Sequence, residues 1–263
     1  MNIYIMADIE GISGIYCRDQ VVTDGRYYTE GRELMTKEIN ICARACKEAG
    51  ADKVFVHDCH GVSGNVIWSG LSDDIDYVFS GLGLKQRFAE VIRETDGVIL
   101  LGYHAMAGTP GAVLEHTMSS ASYQNIWLNG KKCGEIGIDS AILGDMGIPV
   151  IMVSGDDKTC REAEKFIPGV VTAEVKRGSA CMGALLLTPK KAERVLREKT
   201  AEAISKIAEI LPVQCEKPVR FTLEYTERHE TPNPLAKPYM EIIDGRTFSV
   251  TGRTTEEAWY RCL

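Results

Sequence analysis

The sequence predicts an α/β protein with a mostly parallel central sheet flanked by helices, followed by a smaller C-terminal α+β portion. Three apolar runs, at 3–6, 53–57 and 98–102, are nearly uninterrupted, which is typical of parallel strands covered on both faces. Strand-like and helix-like segments alternate over the first two thirds of the 263 residues. These patterns together favour a wound layer of strands with helices on either side.

The predicted elements of this layer follow one another along the chain. Strands are expected at 2–7, 53–58, 76–80, 97–103, 122–128, 149–154 and 170–176. Helices are expected at 30–48, 85–94, 136–146 and 157–167. We place the end of this α/β unit at residue 177, so that the first predicted domain covers 1–177.

The last third of the chain has a different pattern. Thr188 and Pro189 suit the N-cap and first position of a helix, and neither Gly nor Pro follows before Leu211, which predicts a long helix. The later segments predict a strand at 219–225, a type I′ hairpin turn at 243–246 and a final helix at 254–262. Residues 178–263 are therefore expected to form a smaller α+β portion packed on residues 1–177.

Composition excludes several classes of partner. The net charge is −7 and no long Lys/Arg run occurs, so a nucleic-acid or anionic-membrane surface is not expected. No segment approaches the roughly 20 apolar residues of a membrane span, and Asp8 and Glu10 interrupt the start of the chain where a signal peptide is apolar. The nine cysteines include no C-x-x-C pair, which disfavours a disulfide framework or a thiolate zinc site. We expect a cytoplasmic protein.

Metal-ligand residue types recur where apolar strands end. Asp8 and Glu10 follow the first strand with the i, i+2 spacing that puts two side chains on one side of an extended chain. His60 comes two residues after Asp58 at the end of the second strand, and His104 follows the run at 98–102. The carboxyl ends of parallel strands are the usual ligand position in open sheets. Carboxylate oxygens with imidazole nitrogens suit a catalytic zinc, manganese or iron ion.

Each of these residues also has a simpler interpretation when it is considered alone. A carboxylate after a strand is often a turn residue or helix N-cap, and a loop histidine often only donates a hydrogen bond. Glu135 at a predicted helix start is suited to the helix dipole. Asp58 is expected either to orient His60 by accepting its second N–H or to be a turn residue, and His57 is expected to be an ordinary strand-end residue.

Six motifs in register are more specific than any one of these residues. They are Asp8-Ile9-Glu10-Gly11-Ile12-Ser13-Gly14, Asp58-Cys59-His60, Gly102-Tyr103-His104-Ala105, the loop from Thr109-Pro110-Gly111 to His116-Thr117-Met118, Gly134-Glu135-Ile136-Gly137, and Val153-Ser154-Gly155-Asp156-Asp157. In this order they resemble the zinc-dependent D-aminopeptidases of bacterial dipeptide-transport operons. The resemblance extends from about residue 2 to 200 and continues weakly to the C-terminus.

The resemblance implies a site with two Zn²⁺ ions per subunit. Asp8 would bridge the ions, Glu10 and His60 would complete the protein ligands of one, and His104 and Glu135 those of the other. A bridging carboxylate suits two dications held about 3.5–4 Å apart, the separation that is useful for hydrolysis. His116 matches the family's catalytic side chain, as a general acid, a general base or an oxyanion donor.

The function implied is removal of an N-terminal residue, such as D-alanine, from short peptides. A related amidase or L-aminopeptidase on the same metal site is an alternative within catalysis, and a non-catalytic metal or small-ligand binding protein is an alternative from another class. The resemblance further implies a homo-oligomer, typically a decameric ring. His229, near a proline-rich segment at 231–238, is expected at the surface or in a subunit contact.

Overall fold

A computed structural model of the chain describes residues 1–61, 63–81, 88–228, 231–233 and 237–263. Within these ranges the strands are β1 (Asn2–Ala7), β2 (Lys53–Asp58), β3 (Tyr77–Phe79), β4 (Gly97–Leu101), β5 (Tyr123–Leu128), β6 (Lys131–Cys133), β7 (Val150–Asp156), β8 (Val171–Ala180), β9 (Gly183–Leu186), β10 (Val219–Tyr225), β11 (Glu241–Ile242) and β12 (Thr247–Gly252). The α-helices are α1 (Tyr28–Glu48), α2 (Glu135–Asp145), α3 (Asp157–Phe166), α4 (Pro189–Ser205) and α5 (Thr255–Cys262).

The central sheet has the strand order β3-β2-β1-β4-β7-β8-β9 in the described chain. All of its neighbours pair in parallel except β8 and β9, which are antiparallel. The predicted mostly parallel α/β sheet is thus confirmed. Ala7 is in register with Asp58 on one side and with Leu101 on the other, so the carboxyl ends of β1, β2 and β4 lie side by side.

Both faces of the central sheet are covered, which explains its unbroken apolar strands. Ile3 and Ile5 of β1 point to the face where α1 and α4 pack, and belong to one buried cluster with Met35 and Leu196. Tyr4 and the other alternate residues of β1 point to the opposite face, in a second cluster that includes residues of α2, α5 and the smaller sheet. Because successive side chains of a strand point to opposite faces, β1 contributes to two separate hydrophobic cores.

The smaller sheet is antiparallel, with the strand order β11-β12-β10-β5-β6. Helix α5 packs on it and also contacts α2. Strands β5 and β6 precede residue 177, whereas β8 runs across that position and β9 extends the central sheet. Each sheet therefore contains segments from both sides of the boundary that the sequence suggests, and the division at 177 stays a prediction about folding units.

Several local predictions differ from the structure. Helix α4 ends at Ser205 instead of continuing to Leu211, and β9 was not expected. The predicted helix at 85–94 is a 3₁₀ helix over Glu90–Glu94, and its first residues lie outside the described chain. The hairpin between β11 and β12 forms, but Gly245 has no positive φ, so its turn is not type I′.

The remaining predictions concern membrane-spanning segments and the position of His229. Among the helices of the described ranges, none combines the length and apolarity that crossing a membrane requires. The predicted surface residue His229 and residues 234–236 of the proline-rich segment lie outside the described residues.

Candidate metal centre

The first pair of carboxylates comes from the turn that follows β1. Asp8 donates its backbone N–H to Leu101 O at 2.9 Å, and Gly11 donates its backbone N–H to Gly102 O at 2.7 Å. These two hydrogen bonds hold the turn against the end of β4. A Cβ at Gly11 would lie 1.9 Å from Tyr103 O, so this approach requires glycine. The predicted extended course from Asp8 to Glu10 is wrong, because the chain leaves the strand at Ala7. The turn nevertheless brings both carboxylates together.

A buried lysine of β8 holds the same turn from behind. Lys176 is 1% exposed, and its Nζ donates to the backbone oxygens of Glu10, Ile12 and Ile15 at 2.6–2.8 Å. Burial lowers the pKa of Lys176 to about 8, so most of the ammonium keeps its proton at neutral pH. All three donors of the ammonium therefore serve to fix the backbone that carries Glu10.

His60 reaches the two carboxylates from the loop after β2. Its Nδ1 lies 3.1 Å from Asp8 Oδ1 and 3.1 Å from Glu10 Oε2. Its Nε2 donates to Val21 O at 2.8 Å. Asp58 does not accept from His60 as predicted: it accepts from the backbone N–H and the side-chain amide of Asn65 at 2.7 and 2.8 Å and so shapes the loop instead.

His104 and Glu135 form the other side of the cluster. His104 follows Gly102, whose φ of +70° lets the chain turn sharply after β4. Its Nε2 lies 3.2 Å from Glu135 Oε1 and 3.5 Å from Asp8 Oδ2. Glu135 is the first residue of α2, but its carboxylate accepts from Met118 N at 2.8 Å and faces this cluster. The simple helix-dipole interpretation of Glu135 is therefore insufficient.

His116 lies over the same group on a loop. Its ring stacks on that of His104 with a centroid separation of 3.9 Å and an interplanar angle of 12°. Its Nε2 lies 3.8 Å from Glu135 Oε1, and its Nδ1 bonds Leu114 O at 2.9 Å. The loop thus carries an imidazole to the edge of the cluster, as expected from the sequence.

The three histidines share one hydrogen-bonding pattern. In each ring, one nitrogen bonds a backbone oxygen, of Val21 for His60, of Ala105 for His104 and of Leu114 for His116. Because a carbonyl only accepts, that nitrogen carries the proton in the neutral ring. The other nitrogen of each ring faces the carboxylates, and in the neutral ring it has the lone pair that a metal-binding histidine uses.

Without a metal, the cluster binds protons strongly. Burial opposes charge on Glu10, but the neighbouring His60 outweighs it and holds the pKa of Glu10 well below its usual range. Burial likewise opposes charge on His104, yet the carboxylates of Glu135 and Asp8 raise its pKa to about 10. The pKa of His60 is also raised well above its ordinary value, against burial, by Glu10 and Asp8. The buried carboxylates therefore favour the binding of positive charge at this site.

The donor set meets the requirements of a metal site. One donor atom each from Asp8, Glu10 and His104 lie within 4.8 Å of one another, and so do donors from His104, His116 and Glu135. His104 Nε2 is buried and makes no hydrogen bond within the described chain. Mixed carboxylate and imidazole donors fit zinc. His104 belongs to both groups, which places two potential ion positions next to each other.

The structure brings together every residue that the sequence singled out for this site: Asp8, Glu10, His60, His104, Glu135 and His116. Sequence reasoning missed the supports, namely Lys176 and the carbonyl of Val21. A lysine at the end of the apolar strand predicted at 170–176 was a usable signal, because such a lysine points to a buried partner. The carbonyl of Val21 has no side-chain signature at all.

Comparison with known proteins agrees with this geometry. A family model described as D-aminopeptidase matches residues 1–262. A curated D-aminopeptidase of Bacillus subtilis (strain 168) is 34% identical over 249 residues, which is 94% of this chain and 89% of that protein. The solved structure of the Zn-dependent D-aminopeptidase DppA from Bacillus subtilis, described as a self-compartmentalizing protease, superposes with a TM-score of 0.94 at 30% identity and covers 100% of this chain and 95% of its own. The chain belongs to the D-aminopeptidase family.

Proposed function

We propose that the chain is a zinc-dependent aminopeptidase that removes an N-terminal D-residue, such as D-alanine, from short peptides. The observation that carries the proposal is the convergence of Asp8, Glu10, His60, His104 and Glu135 at one sheet edge, with the free nitrogens of both histidines directed at shared carboxylates. Membership of the D-aminopeptidase family and the zinc dependence of the similar Bacillus subtilis structure support it.

These five residues would hold two zinc ions per subunit, with Asp8 between them. Bound zinc supplies a Lewis acid for the scissile carbonyl and lowers the pKa of an attacking water. Asp8 is suited to the bridging place because its Oδ1 faces His60 at 3.1 Å while its Oδ2 faces His104 at 3.5 Å. The fixed ring orientations of His60 and His104 keep the site open for the metal before it arrives.

His116 is proposed to move the proton that the reaction transfers. Its Nδ1–H is occupied by Leu114 O, so the neutral ring offers only the lone pair of Nε2 to the site. The ring therefore accepts a proton at Nε2 first, and the imidazolium then donates it to the leaving amine. This order makes His116 a general base and afterwards a general acid.

The proposal is tested by assaying D-Ala-D-Ala and L-Ala-L-Ala before chelation, after chelation and after zinc is restored, with metal per chain counted by elemental analysis. We expect zinc-restored cleavage of the D-dipeptide alone and about two zinc ions per chain, the number that a binuclear site requires. Cleavage of L-Ala-L-Ala would indicate an L-aminopeptidase or a broader amidase instead of a D-specific enzyme. Bound metal without cleavage of any peptide amide would favour a binding protein.

The assembly and location are further parts of the proposal. The similar Bacillus subtilis structure is described as self-compartmentalizing, which supports a homo-oligomer for this chain, with a decameric ring as the specific expectation. Met182, in the turn between β8 and β9, and Leu185 on β9 are 64% and 71% exposed and suit a subunit contact. Native mass spectrometry is expected to find ten copies of the 29.0 kDa chain. Cell fractionation is expected to find the protein in the cytoplasm.

A further inference from the structure

A cavity of about 890 Å³ opens beside the candidate metal centre. Its lining includes Asp8, Glu10 and Glu135, together with His60 and His116. The other described lining residues come from the segment after β1, from Cys59 and Gly61 beside His60, from Gly81, from the loop between Leu114 and Ala121, and from the turn between β8 and β9. The cavity is therefore large enough for a short peptide that has its scissile bond at the carboxylates.

One side chain of the wall has a fixed positive charge. Arg18 lines the cavity, and it is the single Arg or Lys among the described lining residues. Its side chain is exposed and makes no ion pair or hydrogen bond with other described residues. Other arginines are engaged, since Arg32 donates to Asn65 O at 3.0 Å and Arg26 lies on the ring of Tyr27. Arg18 is thus a cation in a cavity whose other described charged lining residues are carboxylates and histidines.

The backbone that carries Arg18 is fixed, although the side chain makes no bond to the described residues. Arg18 begins a 3₁₀ helix, Arg18–Gln20, and the buried Gln20 anchors it by accepting from Tyr16 N at 2.9 Å and donating to Gly14 O at 3.0 Å. Val21 donates its N–H to Arg18 O at 3.0 Å and accepts from His60 Nε2 at 2.8 Å. The backbone of Arg18 therefore lies one short helical turn from the carbonyl of Val21, which orients the candidate metal ligand His60.

A short peptide has charges that match the acidic and the cationic side chains of this wall. At neutral pH it carries an ammonium group at one terminus and a carboxylate at the other. Each extended residue adds at most about 3.3–3.6 Å, so the carboxylate of a dipeptide lies only one residue beyond the scissile bond. A long polypeptide has no carboxylate at that distance. A guanidinium binds a carboxylate through two parallel N–H donors, which lysine does not match.

We propose that Arg18 binds the C-terminal carboxylate of the substrate and makes the enzyme selective for short peptides with an unblocked C-terminus. The inference rests on the proposed function, because it assumes that the peptide bond is cut at the carboxylate cluster. Arg18 acts on substrate binding and does not take part in bond cleavage.

The test compares two enzymes with two substrates, namely the zinc-loaded wild type and Arg18→Gln with D-Ala-D-Ala and its C-terminal amide. We expect Arg18→Gln to raise KM for the free acid by about tenfold or more, as for loss of a charge-assisted hydrogen bond, with kcat nearly unchanged. Kinetics with the amide should be the same for both enzymes. Arg18→Lys should fall between wild type and Arg18→Gln, because it keeps the charge and loses the paired donors.

Arg26→Gln is the matched control, since Arg26 is an exposed arginine of the same segment that does not line the cavity. It should retain wild-type KM for both substrates, and zinc per chain should be equal in all variants. An equal effect of Arg18→Gln on the acid and the amide would overturn the inference while leaving the peptidase intact. Failure of the wild type to cleave either peptide would overturn both this inference and the proposed function.

Discussion

Four of the candidate metal ligands, Asp8, Glu10, His60 and Glu135, line the same cavity as the two side chains proposed to contact the substrate. The most buried ligands and Arg18 are nevertheless held differently. Asp8, Glu10, His104 and Glu135 are each less than 9% exposed, and backbone groups or the ammonium of Lys176 fix their positions. His116 lies on a loop and, like His60, has one ring hydrogen bond to a backbone oxygen, here that of Leu114. The side chain of Arg18 has no such bond in the described chain.

This difference follows from what each group has to do. Metal ligands must be in place before the ion arrives, because reorganising buried carboxylates around a dication costs free energy on every binding event. Residues that contact the substrate bind a molecule that enters and leaves in every catalytic cycle. Their side chains therefore keep conformational freedom, which they use during turnover. Independent measurements of zinc content and turnover separate the two groups.

Asp8→Asn is expected to have the largest effect, because it removes the carboxylate that faces both histidines. Zinc per chain should fall, and D-Ala-D-Ala turnover should drop by at least about 10³-fold, since a hydrolytic metal site supplies the electrophile. Elemental analysis and steady-state kinetics measure the two quantities. Asp24→Asn, at an exposed aspartate away from the cavity, is the control. Full zinc and activity in Asp8→Asn would show that Asp8 is not a ligand.

His116→Ala should reduce kcat by about 10²–10⁴-fold, the usual contribution of a proton-transferring side chain. Zinc per chain should stay at the wild-type value. This result matters because donors of His104, His116 and Glu135 lie within 4.8 Å, so the geometry also permits His116 to bind metal. Loss of zinc together with activity would reassign His116 to the metal-binding group.

Lys176→Met should weaken zinc binding by about 10- to 100-fold, the range seen when a group that supports a metal ligand is removed. The physical reason is that the backbone oxygens of Glu10, Ile12 and Ile15 lose their donor. Competition with a chelator measures the affinity, and circular dichroism checks that the variant is folded. Lys47→Met removes a surface lysine that also bonds a backbone oxygen, and it should bind zinc normally. Unchanged affinity in a folded Lys176→Met variant would contradict the supporting role.

Zinc affinity should rise with pH by up to about tenfold per pH unit for each proton displaced. The pKa of His104 is raised to about 10 and that of His60 well above its ordinary value, so both rings hold their protons at pH 7 in the metal-free protein. Zinc must displace these protons, and lowering the pH therefore weakens binding. Calorimetry in two buffers of different ionisation enthalpy should detect proton release, and its absence would contradict the protonated cluster.

The order of strands and helices was predictable from the sequence where the hydrophobic periodicity was strong. β1, β2 and β10 have the expected limits within one residue, because unbroken or alternating apolar patterns identify strands directly. The end of α4 was not, since Lys206–Ile210 keeps helix-forming residues although the chain leaves the helix after Ser205. The membership of β5 in the smaller sheet was not either, because pairing across 91 or more residues leaves no local signal.

The candidate site shows the same division. Ligand-type side chains after β1, β2 and β4 were visible in the sequence because parallel strands place their carboxyl ends together. Of the two supports, Lys176 left a usable signal at the end of a predicted strand, whereas the carbonyl of Val21 that orients His60 left none, since it belongs to an apolar residue. Arg18 has no pattern of its own and becomes notable only because the fold places it on the cavity wall.

The most direct test of this account is anomalous diffraction at the zinc edge from crystals of the zinc-loaded protein. We predict two zinc peaks per chain, one on each side of Asp8, ligated among Asp8, Glu10, His60, His104 and Glu135. Absence of zinc from this cluster, or zinc bound at other residues, would contradict the central claim that these side chains form the catalytic metal site.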